Sequence, residues 1–230
     1  MQTFWTITGQ LLGGFSSSFF LFLFTLLLSL PLGLLISFCT MSRFKPLSIP
    51  FKLIVWVLRG TPLMLQIFVV FYVPGLLFGF VWPTMNTGWL WFDKTISTRF
   101  IAALVAFVIN YAAYFSEIFR GGIQSISEGQ YEACQVLGMT RTEAFFKVVL
   151  LQVVKRVLAP MSNEVITLVK DTALANVIGV CELMYWGENA LTTGGLIWPV
   201  FYAGGFYLLF VGLLTILFSY FEKRLDYFKA

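Results

Sequence analysis

The 230-residue sequence contains no histidine at all. It has three cysteines, Cys39, Cys134 and Cys181, none in a CxxC pair. These two shortages exclude the common zinc ligand sets and any histidine-based catalytic triad. The scattered cysteines read as small apolar fillers. Charge is also scarce, at 11% of the residues against about a quarter in an ordinary soluble domain. No Walker A run occurs, so the sequence offers no such nucleotide cradle of its own. A membrane enzyme would also need a nucleophile elbow or a metal cluster, and neither is present.

What the sequence has in abundance is apolar side chain, 59% of the total. One globular core cannot hide that much, so the solvent for the remainder is lipid. Lipid admits only structures that pair every backbone group internally, namely helices or a closed barrel. A barrel would show alternating segments of about ten residues. The sequence instead shows unbroken apolar runs such as residues 19–36. The expected fold is an all-α integral membrane protein, a single domain over residues 1–230.

A spanning helix needs about 20 mostly apolar residues. Five candidates meet this: residues 15–40, 51–80, 98–119, 145–180 and 198–221. The first has no Lys or Arg before it and a long core, so it is expected to be a retained helix rather than a cleaved signal. Five spans put the termini on opposite sides. Arg43, Lys45 and Lys52 follow the first span, and Pro46 and Pro50 mark this stretch as a basic loop. Arg120, Arg141, Lys147, Lys155 and Arg156 follow the third, and Lys223, Arg224 and Lys229 end the chain. These regions share one side, which the positive-inside rule makes cytoplasmic. The expected topology has the N-terminus outside and the C-terminus inside. It also explains the net charge of +4 without nucleic acid. The opposite loops are mixed or acidic, with Asp93, Lys94 and Arg99 in one and Glu182, Glu188, Gly194 and Gly195 in the other. Trp82, Trp89, Trp91, Trp186 and Trp198 lie near these outer loops, as an interfacial belt would.

The polar stretch after the third span carries a short helix, residues 127–138. Ser127 can cap it, and acidic residues suit its first turn. Tyr131, Cys134 and Leu137 form an apolar stripe, and Gly138 can take the left-handed conformation that ends a helix. Thr140 with Glu143 makes the next start a capping box. A helix resting on headgroups would carry Lys or Arg on its polar face. This one carries Glu128 and Glu132, which fits a protein partner better.

Glu132-Ala133-Cys134 followed by Gly138 resembles the EAA motif of permease subunits in bacterial ABC importers. Four more segments resemble the polar amino-acid branch of that family (the histidine, arginine and glutamine permease type). They are Arg59-Gly60-Thr61-Pro62-Leu63, Glu117-Ile118-Phe119-Arg120-Gly121-Gly122-Ile123, Asn163-Glu164, and Leu168-Val169-Lys170-Asp171-Thr172-Ala173-Leu174. Val177-Ile178-Gly179-Val180 with Glu182-Leu183 continues the last. The sequence departs from the family in having Cys134 for the second alanine, Leu150-Leu151-Gln152 for Leu-Pro-Gln, and Ser162 for the Gly before Asn-Glu. The missing proline implies a straighter start to the fourth span. The resemblance implies a type I importer permease in a bacterial inner membrane, an ATP-driven importer of a polar amino acid. Tyr131, Glu132, Ala133, Cys134 and Gly138 would couple it to a separate ABC ATPase dimer, which binds the ATP and Mg. This chain would hold no cofactor or metal and would not itself be an enzyme. A soluble substrate-binding protein would deliver the solute. Five spans enclose no path alone, so a second permease subunit, identical or homologous, would pair with it.

Ionisable residues within a membrane segment are costly and usually functional. Glu164, Lys170 and Asp171 interrupt the otherwise apolar residues 161–180. Glu164 and Asp171 are seven residues apart, about 700° of turn, so they face the same way roughly 10 Å apart along the axis. Lys170 points about 100° from Asp171. An amino acid carries an ammonium and a carboxylate, so Glu164 or Asp171 could take the first and Lys170 the second. The carboxylate left over would favour a cationic side chain. Thr172 completes this candidate substrate set. The competing reading is interhelical pairing, with Lys170 answering Glu117 or an acid of the second subunit. Arg59 would open the second span at its cytoplasmic end, with Pro62 at the first position of an N-capped helix. Pro160 leaves the carbonyl near Arg156 without its usual donor, a joint between the ATPase side and the solute side. Arg59, Pro62, Glu117 and Pro160 form the candidate gate. A secondary transporter or channel is the rival function. Such transporters show paired repeats, and the Lys170 region has no second copy here.

Overall fold

The computed structural model describes residues 4–83, 85–86 and 95–225. Trp89, Trp91, Asp93, Lys94 and Lys229, used above in the loop, belt and charge readings, lie outside the described residues. The fold is helical, apart from a two-residue antiparallel ladder of β1 (Met85–Asn86) with β2 (Thr95–Ile96).

The first helix, α1 (Phe4–Met41), starts well before the predicted residue 15. Apart from Phe22, its buried positions run Ile7, Leu11, Gly14, Ser18, Leu21, Thr25, Ser29, Gly33, Ser37 and Thr40. The three- and four-residue steps keep them on one stripe, and most are small or weakly polar. That composition lets membrane helices approach closely. Ser29 donates to the Thr25 carbonyl at 2.5 Å and Ser37 to that of Leu34 at 2.7 Å, whereas the buried Thr25 hydroxyl has no hydrogen-bond partner among the described residues. The partner is α4 (Thr98–Gln124), capped by Ser97, whose side chain accepts from the Phe100 amide at 3.1 Å. At Gly33 a Cβ would lie 2.9 Å from the Ala112 carbonyl oxygen and from Phe115 Cβ, so only glycine fits. Phe107, Tyr111 and Phe115 of α4 anchor the main core.

The predicted second span, residues 51–80, is two helices, α2 (Lys45–Gly60) and α3 (Leu63–Phe78), bent by 110°. Pro62 causes the break. It supplies no amide hydrogen, and it forces Thr61 into an extended conformation at φ −115°, ψ 146°. Pro62 itself is the N-cap of α3, one position earlier than predicted. Arg59 therefore closes α2 rather than opening a span, and most of the predicted basic loop is the start of α2. The carbonyls freed at the elbow are answered by Gln66, whose Nε2 donates to Leu58 O at 2.7 Å and Thr61 O at 3.2 Å. Asn110 of α4 donates to Gln66 Oε1 at 3.1 Å and locks that arrangement.

The polar stretch folds as α5 (Glu128–Val136) and α6 (Arg141–Ala144). Ser127 holds the N-cap position of α5 without a side-chain bond. Gly138, at φ 70°, ends the segment as expected. The Thr140–Glu143 capping box has both arms. A π-helical turn, Phe145–Val149, leads into α7 (Leu150–Asp171). The start of the predicted fourth span is thus a widened turn rather than regular α-helix. The helix runs on through Pro160 and tightens into a 3-10 turn, Thr172–Ile178. Ser162 is buried against α9 (Trp198–Leu225), with its hydroxyl 2.8 Å from Ala159 O and 3.3 Å from Glu222 Oε1.

The predicted acidic loop after residue 180 is largely a further helix, α8 (Leu183–Gly194). Its N-cap, Glu182, is fully buried and accepts from the amides of Met184 at 2.8 Å and Tyr185 at 2.6 Å. Ser18 of α1 and Tyr207 of α9 also donate to it, at 3.3 and 3.0 Å. Trp186 and Trp198 pack into a cluster with Ile7, Leu11, Leu183 and Ala203, and Trp82 packs on the main core, so these three indoles take part in packing.

Among the described residues three helices, α1, α4 and α9, are long and apolar enough to cross a membrane, and the bent pair α2 and α3 passes the same test together. By composition α7 does not, because Lys155, Arg156, Glu164, Lys170 and Asp171 all fall within it.

Candidate functional site

Helix α7 carries the predicted solute residues, and its neighbours decide what each can do. Val165, Leu168 and Val169 bury one side of it in the main core. Asp171, at its end, accepts a hydrogen bond from the Tyr111 hydroxyl of α4 at 2.7 Å. Glu164, seven residues back, is half-buried and makes no ion pair within 4.0 Å among the described residues. Lys170 is exposed and likewise unpaired among the described residues. Thr172 is buried, and its hydroxyl donates to the Val169 carbonyl at 2.7 Å, so it shapes the end of α7 instead of facing a solute. The structure therefore gathers Glu164 and Asp171 on one stripe and turns Lys170 away from them.

Lys170 does not answer Glu117. That carboxylate is taken by Arg120 at 2.5 Å and by Arg59 at 3.5 Å. Arg59 also lies over the Tyr114 ring, 5.3 Å from its centroid, a cation–π distance. Arg120 reaches on to Gln124 at 2.9 Å. The candidate gate residues Arg59 and Glu117 thus form one cluster that ties the end of α2 to α4. Pro62 sits two residues beyond Gly60 at the elbow, and Pro160 is exposed in the middle of α7, apart from that cluster.

In α5 the predicted apolar stripe is only partly buried. Cys134 faces inward at 4% exposure, whereas Tyr131 and Leu137 are exposed at 40% and 77%. Glu128, Glu132, Ala133, Val136 and Gly138 are exposed too. This short helix thus shows solvent both its carboxylates and its aliphatic side chains. The adjoining capping box is firm. Glu143 accepts from the Thr140 amide at 3.0 Å and the Thr140 hydroxyl at 2.9 Å, and pairs with Lys147 at 3.1 Å. The Thr140 amide first, then its hydroxyl and Lys147, hold the Glu143 carboxyl down at about 2.

Sequence reasoning missed Tyr111, Gln66 and Asn110, and it treated Glu182 as a loop acid. Each is a polar side chain in an apolar stretch, and that alone marks a residue with a buried partner.

The family described as the binding-protein-dependent transport system inner membrane component matches residues 29–227. The chain is 33% identical, over 100% of its length and 91% of the relative's, to the L-cystine transport system permease protein TcyB of Bacillus subtilis. It is 35% identical to the arginine ABC transporter permease protein ArtM of Escherichia coli K12, over 74% of its length and 77% of the relative's. Its fold is similar to that of a chain in the crystal structure of an amino acid ABC transporter with histidines, at a TM-score of 0.81 and 28% identity, over 97% of this chain and 99% of that one. The inward-facing MetNI methionine ABC transporter shares the fold alone, at a TM-score of 0.65 and 16% identity over 96% and 97% of the two chains. With the matched region running from within α1 to beyond α9, this chain belongs to the family of inner membrane components of binding-protein-dependent transport systems.

Proposed function

We propose that this chain is the permease subunit of an ATP-driven importer that carries a polar amino acid, most suitably a cationic one, into the cytoplasm. The observation that carries this reading is the single helix α7, continuous from Leu150 to Asp171, with a half-buried carboxylate stripe toward one end and the exposed α5 beside the other. Glu164 and Asp171 lie about 10 Å apart along the axis. That separation suits a solute with an ammonium at each end better than one α-ammonium alone. Tyr111 engages one oxygen of Asp171 and leaves the other open. Lys170, exposed and on another face, is the candidate for the solute carboxylate.

In this reading α7 is a fifth crossing, shielded by α4 and α9, with the N-terminus outside and the C-terminus in the cytoplasm. The basic regions around α2, α5 and the end of α9 then share the cytoplasmic side. Tyr131, Glu132, Ala133, Cys134 and Gly138 form the surface that meets a separate ATPase dimer. Arg59, Glu117 and the Pro62 elbow form the inner gate, and Pro160 is the joint in α7. A second permease subunit closes the path, and a soluble binding protein loads it from outside. The names of the relatives, which include arginine and cystine systems, support an amino acid as cargo.

The test is substrate-stimulated ATP hydrolysis by the reconstituted complex with a panel of amino acids. Glu164→Gln is expected to raise the half-saturating concentration of a cationic amino acid by about tenfold, the worth of one charge-assisted hydrogen bond. Unchanged affinity in folded Glu164→Gln protein would remove Glu164 from the site.

A further inference from the structure

The polar segment is held by α7 as well as by the chain that leads into it. Gln130, half-buried in α5, accepts a hydrogen bond from Gln152 Nε2 at 3.1 Å. One turn along α7 the Arg156 guanidinium donates to the Ser125 carbonyl. Between these two contacts Ile126 is buried among Val149, Val153 and Val157. Gly122, at the end of α4, lies so close to Val157 that a Cβ there would collide with it. Positions 149, 152, 153, 156 and 157 fall on one face of a helix.

That face continues toward the other end of α7. Val157, Glu164 and Asp171 follow one another at seven-residue steps, a drift of only about 20° per step. The side of α7 that grips residues 125–130 is therefore the side that carries the candidate solute carboxylates. Gln152 lies about 18 Å along the axis from Glu164. Apolar contacts such as those of Ile126 tolerate sliding, whereas an amide–amide bond is directional and fixes register. The contact between Gln130 and Gln152 reaches α7 from within α5 itself. The Arg156 bond, by contrast, ends on Ser125, in the linker before α5.

We propose that Gln152, through Gln130, is a positioning residue that transmits displacement of α5 to the Glu164–Asp171 stretch of α7. This rests on reading α5 as the ATPase contact. Without the tie, movement of α5 is taken up in the linker around Ser125 and Ser127, and ATP hydrolysis runs on without moving the solute site. The tie thus acts on the yield of transport per ATP and leaves docking of the ATPase intact.

The experiment measures uptake and ATP hydrolysis in the same proteoliposomes, using the whole complex with its ATPase and binding protein. Gln152→Ala and Gln130→Ala are expected to keep the ATPase bound and hydrolysing. Solute moved per ATP should fall by about tenfold in each, in the range of ordinary coupling effects. Gln130→Glu combined with Gln152→Lys, which replaces the bond by an ion pair, should bring the ratio back to within about threefold of the parent, and it serves as the test should either alanine variant fail to fold. An unchanged uptake-to-hydrolysis ratio in Gln152→Ala would overturn the proposal. So would loss of the bound ATPase from that variant, because the residue would then serve docking. A parent complex that hydrolyses ATP without any uptake would instead defeat the functional reading beneath it.

Discussion

At the scale of single residues, the account turns on polar side chains in apolar surroundings. Tyr111 and Glu164 flank the same stripe but differ in kind. Tyr111→Phe removes the donor to Asp171 Oδ2 and leaves a half-buried carboxylate without it, a loss of about 1–3 kcal/mol. The expected result is a lower thermal midpoint of the detergent-purified protein, whereas Glu164→Gln, which breaks no ion pair among the described residues, should leave the midpoint near that of the parent. Equal destabilisation by both would mean that Glu164 serves the fold. Glu143 gives the pH-dependent case. Its carboxyl is held at about 2, below its ordinary value of 4.5, so the capping box contributes its full stability above about 4.5 and loses it as the pH falls toward 2. Hydrogen exchange of the amides at Thr140 and Glu143 should stay protected at pH 5 and 7 and open only below that window. Opening already between pH 5 and 7 would contradict it. Glu143→Gln, which keeps an acceptor but no charge, should shift the loss of protection out of that acid window.

At the scale of elements, the helices were legible as apolar runs, but their breaks were not. The run over residues 51–80 is apolar apart from Lys52, Arg59, Thr61 and Gln66, so hydropathy sees one span. The bend needs Thr61-Pro62 together with Gln66 and Asn110, and that last residue comes from a helix 44 positions beyond Gln66. In the same way α8 reads as a loop because Glu182 is an acid, and burial makes sense of it only once Ser18 and Tyr207 are beside it. The α5 helix was readable because its signals are local: the Gly138 stop and the Thr140–Glu143 box lie within a few residues of it. Glu164 and Asp171 were readable by seven-residue spacing alone, whereas the Tyr111 partner was not, lying 60 positions from Asp171. Close packing of α1 on α4 yields a prediction at this scale. Gly33→Ala drives a Cβ to 2.9 Å from the Ala112 carbonyl oxygen, which cannot rotate away. The expected cost is about 1–3 kcal/mol, read as a lower thermal midpoint, while Gly13→Ala on the same helix, which meets nothing within 4 Å, should not lower it. Equal midpoints for the two variants would contradict the packing argument.

At the scale of the whole molecule, the chain is a bundle with unfinished surfaces. Leu208, Leu209, Leu213 and Ile216 of α9 are all more than two-thirds exposed, as suits a helix solvated by lipid. Val136 and Leu137 at the end of α5 are 88% and 77% exposed on a short polar segment, as suits a partner. On the proposed reading such a chain acts within an assembly: energy enters at α5, and α7 carries it past Pro160 to Glu164 and Asp171. The most direct test is uptake of a radiolabelled cationic amino acid into proteoliposomes holding this chain with its second permease subunit and binding protein, with and without the co-purified ATPase and with ATP on the ATPase side. The account predicts accumulation against a gradient only when the ATPase and ATP are both present. Accumulation by the chain without the ATPase, or driven by an ion gradient alone, would contradict it.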